Sequence, residues 1–294
     1  MSELSGLTIT WRGLTFYGGD IGRFTIATFD GWEGLPDPRE EFDDRPQAHG
    51  VFDAPPLSGA RRVIVSGLCA TPAERDAMLI ELEATMTFAD PDSRVEDLTI
   101  DYAGRVLTAG ARLTRFKPYT AGLWAAGAFG WKAEWVCPNP LRYGTRISAT
   151  TSFPVAIGGL RWPLYSDGAG VNVGALDYGP ASTTGRLLLA NPGTATASIQ
   201  HEVVGPVEAT GFEIIEINGP GRLVFVGPVS ASSLLLLDGA TGQILLDGTS
   251  DRSTEMAVQD WPTVPKGGSV ELFFRPLGST SAATLTSSLA PPVW

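Results

Sequence analysis

Hydrophobic and polar residues alternate along most of this chain, and the alternation predicts strands. In "LTITWRG" Leu7, Ile9 and Trp11 share one face, and "GRFTIATF" and "ARRVIVSG" continue the two-residue period. "RVEDLTIDYAGRVLTAGARLTRFKPY" predicts strands joined by tight turns, with Ala103-Gly104 as the first hairpin candidate. In "AFGWKAEWVCPNP" Phe129, Trp131 and Trp135 fall on one face, while Lys132 and Glu134 point the other way. From residue 186 onward short strands arrive at regular spacing, separated by "NPG", "NGPG", "DGATG" and "PKGG". Many short antiparallel strands without helices predict a β-sandwich or jelly roll. A stretch rich in Gly, Pro and Ser, from Asn139 to about Gly170, divides the halves. Two domains are therefore expected, 1–150 and 151–294.

One segment has the helical period instead. "TPAERDAMLIELEATM" predicts a helix over 71–87, with Thr71 as N-cap, Pro72 at the first helical position and Glu74 closing a capping box. Met78, Leu79, Leu82 and Met86 form one apolar stripe. Ala73, Ala77, Ile80 and Ala84 form a second, shallower one, and acids separate the two. A helix with two apolar faces is expected to be covered on both sides. The larger face suits its own sheet. The small-residue face suits either a loop of the same chain or a neighbouring subunit.

Composition narrows the function. The chain has 294 residues, 43% of them hydrophobic, and a net charge of -11. Three of its 21 basic residues are Lys, so no basic stripe favours nucleic acid or an anionic membrane. The opening "MSELSGLTITWRG" has neither a basic start nor an apolar core, and no signal peptide is expected. No run approaches the length of a membrane-spanning helix. Cys69 and Cys137 stand apart and are expected as buried thiols.

Candidate chemistry is sparse. The two histidines, His49 and His201, fall in different expected domains, and each reads as structural. There is no nucleophile elbow and no phosphate-binding loop. "DPDSRVED" places Arg94 and Val95 where a calcium loop needs an oxygen ligand and Gly. Asp238 and Asp247 precede Gly as hairpin residues do. No cofactor and no metal site is expected. The acidic loop holds Asp37, Glu40, Glu41, Asp43 and Asp44, with Asp30 and Glu33 before them. It reads as a solvated face, or as a surface that repels DNA or meets a basic partner. Carboxylates in general serve glycosidases, but an exposed, Pro-broken loop is a poor place to raise one pKa. Trp124, Trp131 and Trp135 are expected in the core. Trp162, Trp261 and Trp294 are flanked by Pro or end the chain, and Trp261 with Asp260 is the one candidate glycan platform.

The two halves together resemble the distal tail protein of siphophages. "RPQAHGVF", "ARRVIVSGLCATPAERDAMLIELEATM", "GWKAEWVCPNPLRYG", "ANPGTATASIQHEVVGP" and "LLLLDGATGQILLDG" carry the resemblance, through segment order. It implies a mainly β fold, with an N-terminal tail-tube-like β-sandwich packed by one α-helix and a C-terminal galectin-like sandwich that projects outward. It implies a structural virion protein, not an enzyme, found in the virion tail and assembled in the host cytoplasm. Six copies would close a homo-hexameric ring between the tail-tube protein and the tail-tip or tail-fibre proteins. DNA would pass through it without specific binding, and no membrane insertion is implied. The subunit-interface candidates are Ala73, Ala77, Ile80 and Ala84. A rival expectation is a glycan-binding β-sandwich module at a cell surface, resting on Asp260 and Trp261.

Overall fold

The structure is a computed structural model describing residues 4–19, 23–39, 43–45, 47, 49, 51–52, 57–69, 71–87, 95–120, 122–155, 184–278 and 282–294. The fold is mainly β, with a single α-helix among the described residues. It divides into two compact units, Met1–Thr145 with Val293–Trp294, and Arg146–Pro292.

Among the described residues, seven strands of the first unit's nine-stranded main sheet form its barrel: β1 (Leu7–Trp11), β2 (Leu14–Gly18), β3 (Thr25–Asp30), β4 (Arg61–Cys69), β5 (Glu96–Tyr102), β6 (Arg105–Tyr119) and β7 (Phe129–Cys137). Their order is β7-β4-β3-β2-β1-β5-β6, and β6 also pairs with β7, so the sheet closes into a barrel. The length of β6 makes this closure. Its first half pairs with β5, from Arg105↔Tyr102 to Ala111↔Glu96. Its second half pairs with β7, from Arg112↔Val136 to Tyr119↔Gly130, with an irregularity between Leu113 and Arg115 that turns the strand. The hairpin at Ala103-Gly104 forms as expected, both residues having positive φ (54° and 82°), as a tight turn of this kind requires. Inward residues alternate with outward ones, and Ile9, Trp11, Val63, Val65, Ile100, Trp131 and Trp135 share one core.

The helix spans Arg75–Thr85. Met78, Leu82 and Met86 are buried in the barrel unit's core, with Leu79 packed against it. Burial of the three contributes roughly 5–9 kcal/mol before conformational entropy is subtracted. The expected capping box does not form. Pro72–Glu74 make a turn, with the Glu74 N–H donating to the Thr71 carbonyl at 3.1 Å, and Glu74 occupies the cap position without a side-chain cap bond. Its carboxylate is held by Arg23 instead. A tertiary ion pair has taken the group that the local motif needed.

The second unit is a sandwich of two antiparallel sheets. One runs in the order Ile147–Ser152, Thr284–Leu289, Gln200–Val204, Leu234–Asp238, Gln243–Leu246, Ser250–Asp251. The other runs Arg186–Ala190, Ser269–Pro276, Phe212–Glu216, Arg222–Phe225, Met256–Asp260. Phe153, Phe212, Phe225 and Phe274 fill the core between them, with Phe153 stacked on Phe274 at 4.3 Å between centroids. Trp162 lies outside the described residues.

Candidate interaction surface

The helix is fastened to the barrel by three arginines. Arg12, in the β1–β2 turn, binds Glu96 through Nε (2.6 Å) and Nη2 (2.9 Å), and its Nη1 donates to the main-chain oxygens of Thr85 and Thr87, both at 3.0 Å. Those oxygens lie at the C-terminal end of the helix, where carbonyls lack partners and a cation is favoured. Arg23 bridges Glu74 (3.1 Å) and Glu81 (2.9 Å) along the helix flank. Arg75 lies 3.5 Å from the ring centroid of Trp124 and donates to the Trp124 carbonyl at 3.1 Å. Trp124 is therefore not in the core. It opens a short 3-10 turn, Trp124–Ala126, and remains 40% exposed.

With its inner face buried and its flanks tied, the helix presents Ala77, Ile80 and Ala84 outward, and Ala73 lies in the turn before it. All four are exposed, Ile80 at 66%. Among the described residues no segment of the chain buries this face.

Among the described residues the acidic stretch contains a ribbon of two short strand pairings. Pro38–Arg39 pairs with Leu57–Ser58, and Asp43–Asp44 with Val51–Phe52. Asp37 is exposed, as are Leu35, Phe52 and Leu57, while Glu40 and Glu41 lie outside the described residues. The root of the ribbon is gripped by two buried arginines that the sequence reading missed. Arg61 donates to the carbonyls of Pro140 (3.0 Å), Trp32 (2.6 Å), Gly31 (3.4 Å) and Gly34 (3.1 Å). Arg142 donates to the Trp32 carbonyl (2.8 Å), to Glu33 (3.0 Å) and to the Trp294 main-chain oxygen. Burial, and then the Arg142 charge, lower the Arg61 pKa from its ordinary value. The legible signal is parity: Arg61 falls on the inward positions of β4 with Val63 and Val65.

Among the described residues no group of three His, Cys, Asp or Glu is placed to hold a metal ion. His49 is exposed, whereas His201 is fully buried, its Nδ1 2.8 Å from Ser287 Oγ. A pocket of about 280 Å³ in the sandwich is lined by Leu188, Glu216, Asn218, Ser269, Val270 and Glu271. Both of its carboxylates are engaged, Glu216 with the Gly221 N–H (3.0 Å) and Glu271 with Arg186 (3.2 Å). Asp260 is exposed, but Trp261 is half-buried and packs against the sandwich core. A side chain at Gly239 would meet the Trp261 ring at 3.3 Å, so this indole leans on its own unit. Among the described residues no helix is long and apolar enough to cross a membrane.

A closed barrel carrying one helix, followed by an antiparallel sandwich, recurs in a solved phage protein. The SPP1 Dit protein, described as a paradigm of the hub adsorption apparatus in phages infecting Gram-positive hosts, superposes with a TM-score of 0.61 over 96% of this chain and 98% of its own, at 14% identity. The chain has the Dit fold. Two structures of the phage P2 baseplate in its activated conformation, with Ca and with Sr, align over 96% of this chain and 97% of theirs, at 11% identity and TM-scores of 0.49 and 0.48. No family model and no curated protein matches the sequence. The likeness to Dit is thus carried by backbone architecture at a sequence distance where side-chain roles are not transferred.

Proposed function

We propose that this chain is a structural component of a phage tail, a distal hub whose copies close into a homo-hexameric ring joining the tail tube to the tip or baseplate proteins. The observation that carries this reading is the Dit fold extending over nearly the whole of both chains, both units included. The exposed face of Ala73, Ala77, Ile80 and Ala84 supports it. Four apolar residues beside a firmly anchored inner face suit close approach by a second copy. The net charge of -11 suits a ring that lets DNA pass without retaining it. In this reading the sandwich is the galectin-like unit that faces outward, the site of action is the virion tail, and the role is scaffolding, not turnover.

Light scattering on the purified chain, with negative-stain images, tests the reading. A particle of about six protomers with a central opening is the expected result. A chain that stays monomeric at every concentration, alone and with its tail-tube partner, would count against it.

A further inference from the structure

The outer face of the five-stranded sheet in the second unit carries a buried carboxylate. In the strand Phe212–Glu216, Phe212 and Ile214 enter the sandwich core, so Glu213 points away from it. An outward position should be wet, yet Glu213 is 0% exposed. Two arginines hold it. Arg275 is its direct partner on the neighbouring strand Ser269–Pro276, and its Nε donates to Glu213 Oε1. Arg222 lies on the diagonal in the strand at the other side, Arg222–Phe225, and donates to Oε2 through Nε (3.0 Å) and Nη2 (2.8 Å). Both arginine side chains are themselves half exposed.

Burying a charge is expensive, and a well-packed apolar residue in its place is often neutral or stabilising. Stability therefore does not explain a glutamate here. Orientation does. One carboxylate draws two guanidiniums together and fixes each through its Nε. Among the described residues, Nη1 of Arg222 and both terminal nitrogens of Arg275 have no acceptor. The cluster of Glu213, Arg222 and Arg275 keeps one surplus positive charge, in a chain of net charge -11. Its surroundings are apolar. Val224, opposite Glu213, is buried, and Ile215 and Phe273 on the same face are half-buried. Asp260 stands opposite Arg222 on the edge strand, exposed and not paired to it.

We infer that Arg222 and Arg275, positioned by Glu213, bind a phosphate group. A single guanidinium edge satisfies a planar carboxylate. A tetrahedral oxyanion presents oxygens in several directions and suits two edges held around one point. Phosphate reaches such a site free, or as a diester on a polymer or a lipid headgroup. The inference needs only the sandwich and is independent of the ring reading.

The test titrates the full-length protein, at constant ionic strength, with inorganic phosphate, with dimethyl phosphate and with acetate. Calorimetry gives the affinities, and the Nε–H signals of Arg222 and Arg275 report the place. Millimolar binding of a phosphate that moves both signals is expected, and the tighter of the two phosphates identifies the free ion or the diester as the source. Arg222→Lys and Arg275→Lys keep the charge and lose the fork, and each should weaken binding about tenfold. Glu213→Gln separates orientation from charge. It adds one positive charge to the cluster, so a merely attractive surface would bind phosphate more tightly, whereas an oriented site binds it more weakly. Thermal melts keep loss of fold apart from loss of binding, and the two lysine variants, changed at half-exposed groups, decide the matter if Glu213→Gln does not fold. Absence of any shift at saturating phosphate, tighter binding by Glu213→Gln, or acetate bound as well as phosphate would each overturn the inference.

Discussion

Arg12 holds both carboxylate oxygens of Glu96, 84 positions away, and uses its remaining nitrogen to close the C-terminal end of the helix. The Arg12 hydrogen bonds lower the Glu96 pKa from its ordinary 4.5. The pair's contribution is therefore fully present above that value and fades as pH falls through the lower, folded one. Arg12→Ala is expected to destabilise the first unit by roughly 1–2 kcal/mol, solvent exposure trimming the value of a charged bond. Hydrogen exchange should speed up first in the turn around Thr85, and denaturant unfolding reads the total.

Arg61→Met should cost more, roughly 3–5 kcal/mol, because four main-chain oxygens lose a buried charged donor at once. Urea unfolding measures the loss. Proteolysis should begin near Trp32–Gly34, where the ribbon is rooted, and an unchanged cleavage pattern would contradict the anchoring role.

Burial alone holds His201 near a pKa of about 3, far under its ordinary 6.5. A neutral imidazole is demanded by the fold, while the unfolded chain takes up a proton below 6.5. Stability of the sandwich should thus be unaffected by this group above pH 6.5 and fall by roughly 2 kcal/mol between pH 6.5 and pH 5. His201→Leu should lose that slope, whatever its absolute stability. Denaturation midpoints at a series of pH values decide it.

Burial pushes the thiols of Cys69 and Cys137 up to about 12 and about 11. At pH 8 almost no thiolate exists at either site. A soluble disulfide reagent should leave the native protein unmodified for hours and label both residues once it is denatured.

Ala77→Arg places a long cation on the outward face of the helix. Mass in solution should drop toward the protomer while the thermal midpoint moves by less than about 1 kcal/mol of stability, as for an exposed helical site. Equal damage to both would mean that the face serves the protomer's own fold.

Much of the barrel was legible because burial enforces a period of two. Leu7, Ile9 and Trp11 alternate inward in the fold as they do in the pattern, and Trp131 and Trp135 are fully buried. The inner stripe of the helix was legible for the same reason. Local motifs failed where distant residues intervened. Glu74 satisfies Arg23 and leaves Thr71 without its capping box, and Trp124 stays at the surface beneath Arg75. The ribbon escaped because its paired segments are two residues long, too short to show a period. Closure escaped because no alternation along β6 reveals that its two halves choose different partners. The apolar face of Ala73, Ala77, Ile80 and Ala84 was visible in the sequence. Its exposure required the fold.

The fifteen-residue strand that completes the barrel also limits how copies of this chain adhere to one another. Because β6 gives its first half to β5 and its second half to β7, neither of its edges lies open along the full length of the strand for strand-on-strand growth. Crowded protomers then meet through side chains, whose charge and shape carry a stopping rule. A fibre grown edge to edge would have none.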